Sequence, residues 1–348
     1  AKDEKGRIIK DEQGNKVIIP GLFQHCKAVG WYIESYKRAQ ISINLTNYKI
    51  TPPHIVLEKV RELASERGIV VTGSELVGLI PKAAMVNAGK FYLERMGEST
   101  GLPERMIMET AIQSMGLAEL TPFDLDKKVI EYAIAKKDRL SAMSLESFAD
   151  LLSTDTPAPG GGSVAAFCAA LSAALTAMVS NLTINKKGYE SVQYKVREIA
   201  PQAQDIKLQA IQLIDEDTDA FNAMMDASRL PKKTEEEIAL REQKIEEATK
   251  QAILVPFHTL EIALQALKLA DEVAKVGNMN ALSDAGTAAL TALTAAKAAN
   301  YNILINLPQI KDEAFKEDIN NRAMNLLQES DTLASQIESF VSDRLKNA

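Results

Sequence analysis

The chain has 348 residues, 46% of them hydrophobic but only 5% aromatic, with two cysteines and a formal net charge of −7. That length suits two or three domains rather than one, and the scarcity of aromatics leaves alanine to fill much of the interior. The negative charge argues against a nucleic-acid binder built on phosphate contacts, and Cys26 and Cys168 supply neither a disulfide framework nor a thiolate metal cage, so a reducing cytoplasm is the expected compartment.

No Lys/Arg block reads as a membrane-surface arm, and no signal peptide is visible in a chain that starts at Ala1. No apolar run approaches the roughly 20 residues of a membrane span. The most apolar window, Ala288 to Leu307, is cut by Thr291, Thr294, Lys297, Asn300, Asn302 and Asn306.

Within "KAVGWYIESYKRAQISINLTNY", Val29, Trp31 and Ile33 alternate with Tyr32 and Glu34, and Ile41, Ile43 and Leu45 alternate with Ser42, Asn44 and Thr46. Two strands joined as a hairpin near the basic "KR" are predicted, with Trp31 in a core. "TPPHIVLEKVRELASERG" follows as a helix, with Thr51 as cap, prolines in its first turn and Gly68 as its stop signal. "IVVTGSELVGLIP" is expected to return to strand, and helices are predicted over 82–96 and 103–115. Strand, strand, helix, strand, helix is an α+β layout.

After Ser141 nothing reads as a strand. Helices are predicted at 144–153, 162–184, 188–228 with a break at Pro201, 234–276 with a kink at Pro256, 280–306 and 311–345. Thr234 and Glu237 form a capping box that marks one start. Segments this long imply a bundle of antiparallel helices, and alanine-rich faces such as "AAFCAALSAALTAM" let helix axes approach closely.

Three constellations carry chemistry. In "TPAPGGGSVAA" no lysine follows the glycines and no strand precedes them, so a nucleotide-cradling loop is disfavoured. Two readings stay open: Gly160, Gly161 and Gly162 turn the chain while Ser163 caps the helix, or an anionic ligand meets the bare amides of the helix start. "LIDEDTDAF" sets four carboxylates in an apolar helix whose predicted buried stripe is Leu208, Ile211, Ile214, Thr218, Phe221 and Met225. Asp217 borders that stripe on one side and Asp215 on the other. A carboxylate desolvated there gains a raised pKa, as a proton shuttle near neutrality requires; the plainer reading is a solvated acidic face. In "GNMNALSDAGTAA", Asn278, Asn280, Ser283 and Asp284 gather at a helix start, as caps or as polar groups at the mouth of a bundle. His25, His54 and His258 share no ligand spacing, and no metal site is expected.

"SLESFADLLSTDTPAPGGGSVAA", "LIDEDTDAF", "RLPKKTEEE", "GNMNALSDAG" and "NYNILINLPQIKDEAFKE" together resemble the cyclodeaminase domain of the formimidoyltransferase-cyclodeaminase family. Upstream, "KAVGWYIESYKRAQISINLTNY" and "GIVVTGSELVGLIPKAAM" resemble the carboxy-terminal subdomain of the same family's transferase half. The resemblance implies a ferredoxin-like α+β subdomain over residues 1–140 and an all-α, folate-binding, dimerising bundle over 141–348, with dimers assembled into larger rings. It implies conversion of 5-formimidoyltetrahydrofolate to 5,10-methenyltetrahydrofolate with release of ammonia, in histidine degradation and one-carbon metabolism, with no cofactor beyond tetrahydrofolate as the substrate carrier. By alignment the proton donor/acceptor role goes to Asp217, with Asp215 as fallback. Binding of the folate, polyglutamylated or not, is inferred for Gly160 to Ser163 and for Asn278, Ser283 and Asp284.

One departure stands out. The family's catalytic transferase histidine lies in an amino-terminal subdomain without counterpart here, and none of His25, His54 or His258 matches it. Formimidoyl transfer is therefore expected only if that subdomain is supplied, as a separate polypeptide or in a longer chain. The rival readings are a methenyltetrahydrofolate cyclohydrolase and a non-catalytic folate-channelling or assembly scaffold.

Overall fold

A computed structural model describes residues 7–17, 20–135 and 139–347. The chain divides into two compact units: residues up to 92 with 107–134, and 93–106 with the residues from 135 onward.

In the first unit, strands β1 (Cys26–Ile33) and β2 (Arg38–Leu45) pair antiparallel, with Cys26 opposite Leu45 and Ile33 opposite Arg38. The hairpin falls where the alternation placed it, and Lys37 takes a positive φ of 50° to close the turn. Trp31 is not in a core: it is 46% exposed, because neither face of this two-stranded ribbon is covered along most of its length. Helix α1 (Pro53–Ser65) starts behind the paired prolines, and Thr51 does not cap it. Its hydroxyl donates instead to the Gln24 carbonyl at 2.5 Å. Gly68, at φ 65°, follows the helix end as expected.

The expected third strand forms no ladder. Residues 69–79 are irregular, and only Ile80 bridges, to Val129. Gly78 at φ 87° breaks the extended run, and Val70 and Val77, 81% and 87% exposed, bury nothing that would hold a strand edge in register. Helices α2 (Lys82–Met96) and α3 (Glu104–Met115) cross closely at Gly89, whose missing Cβ would lie 1.9 Å from the Ile107 carbonyl oxygen. The short helices α4 (Leu125–Lys128) and α5 (Ile130–Ala133) complete a small core built on Met85, Ala88, Met108, Ala111 and Val129.

In the second unit no residue among those described is in a strand. Its helices are α6 (Leu145–Leu152), α7 (Gly161–Asn181), α8 (Gln193–Ser228), α9 (Glu235–Val276), α10 (Leu282–Asn306) and α11 (Glu313–Lys346). The capping box at the start of α9 is present: Thr234 Oγ1 accepts from the Glu237 amide at 3.2 Å, and Glu237 Oε2 accepts from the Thr234 amide at 3.2 Å. Helix α8 does not break at Pro201, although proline inside a helix costs about 3 kcal/mol locally. Close packing at this point of the helix holds it there. Ala200 is fully buried, and Gly101 lies so close that a Cβ on it would meet the Ala200 Cβ at 2.3 Å.

Helices α7 and α9 pack on each other and each on both α8 and α10, and α11 lies on α9 and α10. The seams are alanine: Ala165, Ala169 and Ala173 of α7, and Ala288, Ala292, Ala295 and Ala299 of α10, are buried. With only a methyl group to accommodate, the axes approach closely and little volume is left between them. By length and composition α7 and α9 are each apolar enough to cross a membrane, which corrects the expectation that no run approaches that length. Both windows are mostly buried in the bundle. The sequence understated α7 because its serines and threonines satisfy their own hydroxyls: Thr176 donates to the Ser172 carbonyl and Ser180 to the Thr176 carbonyl, each at 3.0 Å.

Candidate active site

The glycine run opens α7 with Gly160 as N-cap, in an extended conformation and without any side-chain cap. Ser163 is not the cap. It sits inside the first turn, fully buried, with its hydroxyl 2.9 Å from Asp217 Oδ2 and 3.2 Å from the Ile214 carbonyl oxygen, placed to donate to either. None of Gly160, Gly161 and Gly162 has a positive φ, so the run does not serve to turn the chain. Two of the three are there for close approach. A Cβ on Gly162 would fall 1.9 Å from Asp217 Oδ1, and one on Gly161 would fall 3.3 Å from Asn302 Nδ2. A Cβ on Gly160 would meet nothing within 4 Å.

Asp217 reaches this turn because of where α8 buries its own stripe. Its buried positions between 206 and 220 are Ile206, Ala210, Leu213, Ile214, Asp215 and Ala220, and Asp217, half-buried, falls between Ile214 and Ala220 at helical spacing. Of the predicted stripe only Ile214 is buried; Leu208, Ile211, Thr218, Phe221 and Met225 are half-buried. Asp217 therefore lies in line with the stripe and not on its border; the two alanines that define that line carry little signal by size. Burial raises the Asp217 pKa, opposed by hydrogen bonds from the Ser163 hydroxyl and main-chain amide. The group is a carboxyl that holds its proton more readily than a free one, with one oxygen anchored by Ser163 and the other facing the bare glycine backbone.

Asp215 is engaged elsewhere. It is 9% exposed, and its carboxylate accepts from the Ser141 hydroxyl at 2.5 Å and the Ser141 amide at 3.3 Å, with Arg139 4.0 Å away. Two residues along a helix is a rotation of about 200°, so the two aspartates face different neighbours.

Asn278, Ser283 and Asp284 sit at the other end of the bundle. The Asn278 side chain accepts from the Asn280 amide, and the Asn278 amide donates to Thr183 Oγ1, beyond the carboxy-terminal end of α7. Ser283 is exposed and Asp284 half-exposed in the first turn of α10. Asn302, near the last turn of that helix, is the residue that meets Gly161, and 18 residues of α-helix between it and Asp284 span about 27 Å. Within one chain these three residues and Asp217 do not share a site.

Asn302 was not singled out by the sequence. The signal was present: Asn300, Asn302 and Asn306 interrupt an otherwise apolar stretch of α10. Asn302 and Asn306 are one turn apart, and Asn306 Nδ2 donates to the Asn302 carbonyl at 3.0 Å.

Among the described residues no three His, Cys, Asp or Glu side chains are grouped to hold a metal ion. His25 and His258 are exposed, and His54 is buried against Phe91, where desolvation lowers its pKa. The arrangement at Asp217 offers a desolvated acid/base beside the amides of a helix start, suited to moving one proton on a bound anionic or hydrogen-bonding ligand.

A family model described as Formiminotransferase-cyclodeaminase matches residues 144–325, and one described as Formiminotransferase domain matches residues 3–135. The formimidoyltransferase-cyclodeaminase of Mus musculus is 36% identical over 329 residues, which cover 94% of this chain and 61% of that protein. The chain thus spans about three fifths of the length of such relatives. The methenyltetrahydrofolate cyclohydrolase of Methylorubrum extorquens is 37% identical over 202 residues, covering 58% of this chain and 97% of that protein. The crystal structure of a formiminotetrahydrofolate cyclodeaminase from Thermotoga maritima superposes with a TM-score of 0.52 at 28% identity, over 60% of this chain and 98% of that one.

Proposed function

This chain belongs to the formiminotransferase-cyclodeaminase family, and we propose that it converts 5-formimidoyltetrahydrofolate to 5,10-methenyltetrahydrofolate and ammonia. The observation that carries this reading is Asp217, a half-buried carboxyl whose pKa is raised by desolvation, set against the glycine turn of α7. The N10 amine attacks the formimidoyl carbon, so an N–C bond forms and N10 must lose a proton. The carbon–amino bond then breaks, and the departing nitrogen must gain a proton. One carboxyl group performs both transfers, taking the N10 proton and returning it to the leaving ammonia, and the folate is the only carrier required.

Asp217 is the proposed proton shuttle in preference to Asp215, whose oxygens are committed to Ser141. Gly160 to Ser163 are the proposed folate contacts, with their amides at the helix start directed to the pterin or to the anionic glutamate tail. Residues 1–140 are proposed as a transferase subdomain of ferredoxin-like arrangement and 141–348 as the cyclodeaminase. Glutamate formimidoyltransferase activity is assigned only to a protein that also has the family's amino-terminal transferase subdomain. A homo-oligomer built from dimers is supported by exposed apolar residues on the bundle, among them Leu171, Leu182, Leu290, Tyr301 and Ile305. A cytoplasmic place in histidine degradation follows from the family chemistry.

The test is direct: purified chain is given 5-formimidoyltetrahydrofolate and the methenyl product is followed by its absorbance. Absence of turnover in folded protein would overturn the proposal. The similarity to a methenyltetrahydrofolate cyclohydrolase favours one second reading, hydrolysis of the methenyl group. Presenting both substrates to the same preparation separates the two.

A further inference from the structure

We propose that Asn302 binds the substrate's departing nitrogen, its carboxamide oxygen accepting a hydrogen bond from the amidine N–H. The inference rests on the cyclodeaminase reading and adds to it a second residue at the reacting carbon.

Gly161 and Gly162 are adjacent, and successive residues of a helix point about 100° apart. A Cβ on Gly162 would run into the Asp217 carboxylate, whereas one on Gly161 would run into the Asn302 carboxamide, 3.3 Å from Nδ2 and 3.7 Å from Oδ1. Carboxylate and carboxamide therefore flank the first turn of α7 on two sides, against a backbone bare of side chains. Asn302 Nδ2 donates to the Ala298 carbonyl at 2.8 Å, which settles the orientation of the amide: the nitrogen is engaged by its own helix, and Oδ1 is the atom left to accept. Oδ1 accepts no hydrogen bond among the described residues, and the side chain is only half-buried. An oriented acceptor with a free lone pair stands beside the acid/base.

The chemistry calls for such a group. The formimidoyl unit is an amidine, cationic when protonated, and its terminal nitrogen carries N–H donors throughout the reaction. A carboxamide oxygen accepts from that nitrogen but is not basic enough to take its proton, so it orients the leaving group without competing with Asp217. The nitrogen carries a full positive charge once Asp217 has protonated it in the tetrahedral intermediate, so the contact is strongest just before the carbon–nitrogen bond breaks and favours the protonated leaving group.

The test compares Asn302→Ala and Asn302→Leu with wild type in the full chain. It measures kcat and KM with 5-formimidoyltetrahydrofolate, equilibrium binding of tetrahydrofolate, which lacks the one-carbon group, and thermal unfolding. Loss of a hydrogen bond to a charged group predicts a fall of about 10- to 100-fold in kcat/KM in both variants, with tetrahydrofolate affinity held within about twofold. Leucine matches asparagine in shape, so a fall in the alanine variant alone would point to lost volume and overturn the inference. Turnover at the wild-type level in both, or loss of tetrahydrofolate affinity to the same extent as kcat/KM, would overturn it as well. Each of those outcomes leaves the cyclodeaminase reading standing; wild-type protein that forms no product overturns both.

Discussion

Gly162 and Asp217 are in direct contact between α7 and α8: no side chain larger than hydrogen fits at position 162 without displacing the carboxylate, since a Cβ would lie 1.9 Å from Oδ1 and 2.5 Å from Cγ. The three adjacent glycines therefore predict a graded series. Gly162→Ala forces Asp217 off Ser163 and abolishes most turnover, with an overpacking cost of about 1–3 kcal/mol. Gly161→Ala presses on Asn302 at 3.3 Å and gives an intermediate loss. Gly160→Ala, with open space around its Cβ in the protein, changes stability by no more than about 0.5 kcal/mol and, keeping its amide, has the smallest effect of the three on turnover. Melting temperature and kcat/KM on the three variants check the order.

Asp217→Asn is expected to slow product formation at least about a hundredfold, the low end for loss of a general acid/base. Its stability effect has the opposite sign and depends on pH. Because burial raises the native carboxyl pKa, the folded state binds the proton more tightly, and the wild-type protein loses stability as pH rises from the unfolded carboxyl value of about 4 through the native one. The asparagine variant lacks that loss. Unfolding of both proteins in denaturant across pH is expected to show the variant gaining on wild type up to the native pKa and holding a constant margin above it.

Asp215→Ala is expected to behave in the reverse way, destabilising the fold while sparing the chemistry. It removes the acceptor for both the Ser141 hydroxyl and the Ser141 amide, and one newly unsatisfied group costs about 1–3 kcal/mol. Arg139 adds little, being half-exposed and 4.0 Å away. A lowered midpoint with kcat within about twofold of wild type per folded molecule is the predicted outcome. A kcat loss matching that of Asp217→Asn would transfer the shuttle role to Asp215.

Gly89→Ala probes the first unit. The added methyl meets backbone, at 1.9 Å from the Ile107 oxygen and 2.6 Å from its carbonyl carbon, and α2 and α3 must separate to admit it. A loss of about 3 kcal/mol is expected, at the upper end for overpacking, because no flexible side chain can yield. Denaturant unfolding with a probe confined to the first unit measures it.

Local pattern carried the secondary structure of the second unit. Five of its long helices begin and end near the predicted limits, because a 3.6-residue apolar period, the Thr234–Glu237 capping box and short polar breaks are properties of neighbouring residues. The hairpin of β1 and β2 was legible for the same reason. The third strand failed because alternation describes which residues prefer extended backbone, whereas a ladder needs a partner edge, and residues 69–79 have none. Trp31 failed likewise: a large aromatic is buried only if something covers it.

The amino-acid sequence by itself determined the family, the helical bundle and the presence of an aspartate-rich turn on an apolar helix. It did not determine which aspartate faces the glycine turn, since Asp215 and Asp217 have much the same apolar neighbours along the chain. Tertiary structure decided that through contacts far apart in sequence: Ser141 engages Asp215, while Ser163 and the missing Cβ of Gly162 receive Asp217. Burial belongs to the space between helices, and in this bundle that space is shaped by glycines and alanines, whose small side chains give little sign in the sequence of where two helices will meet.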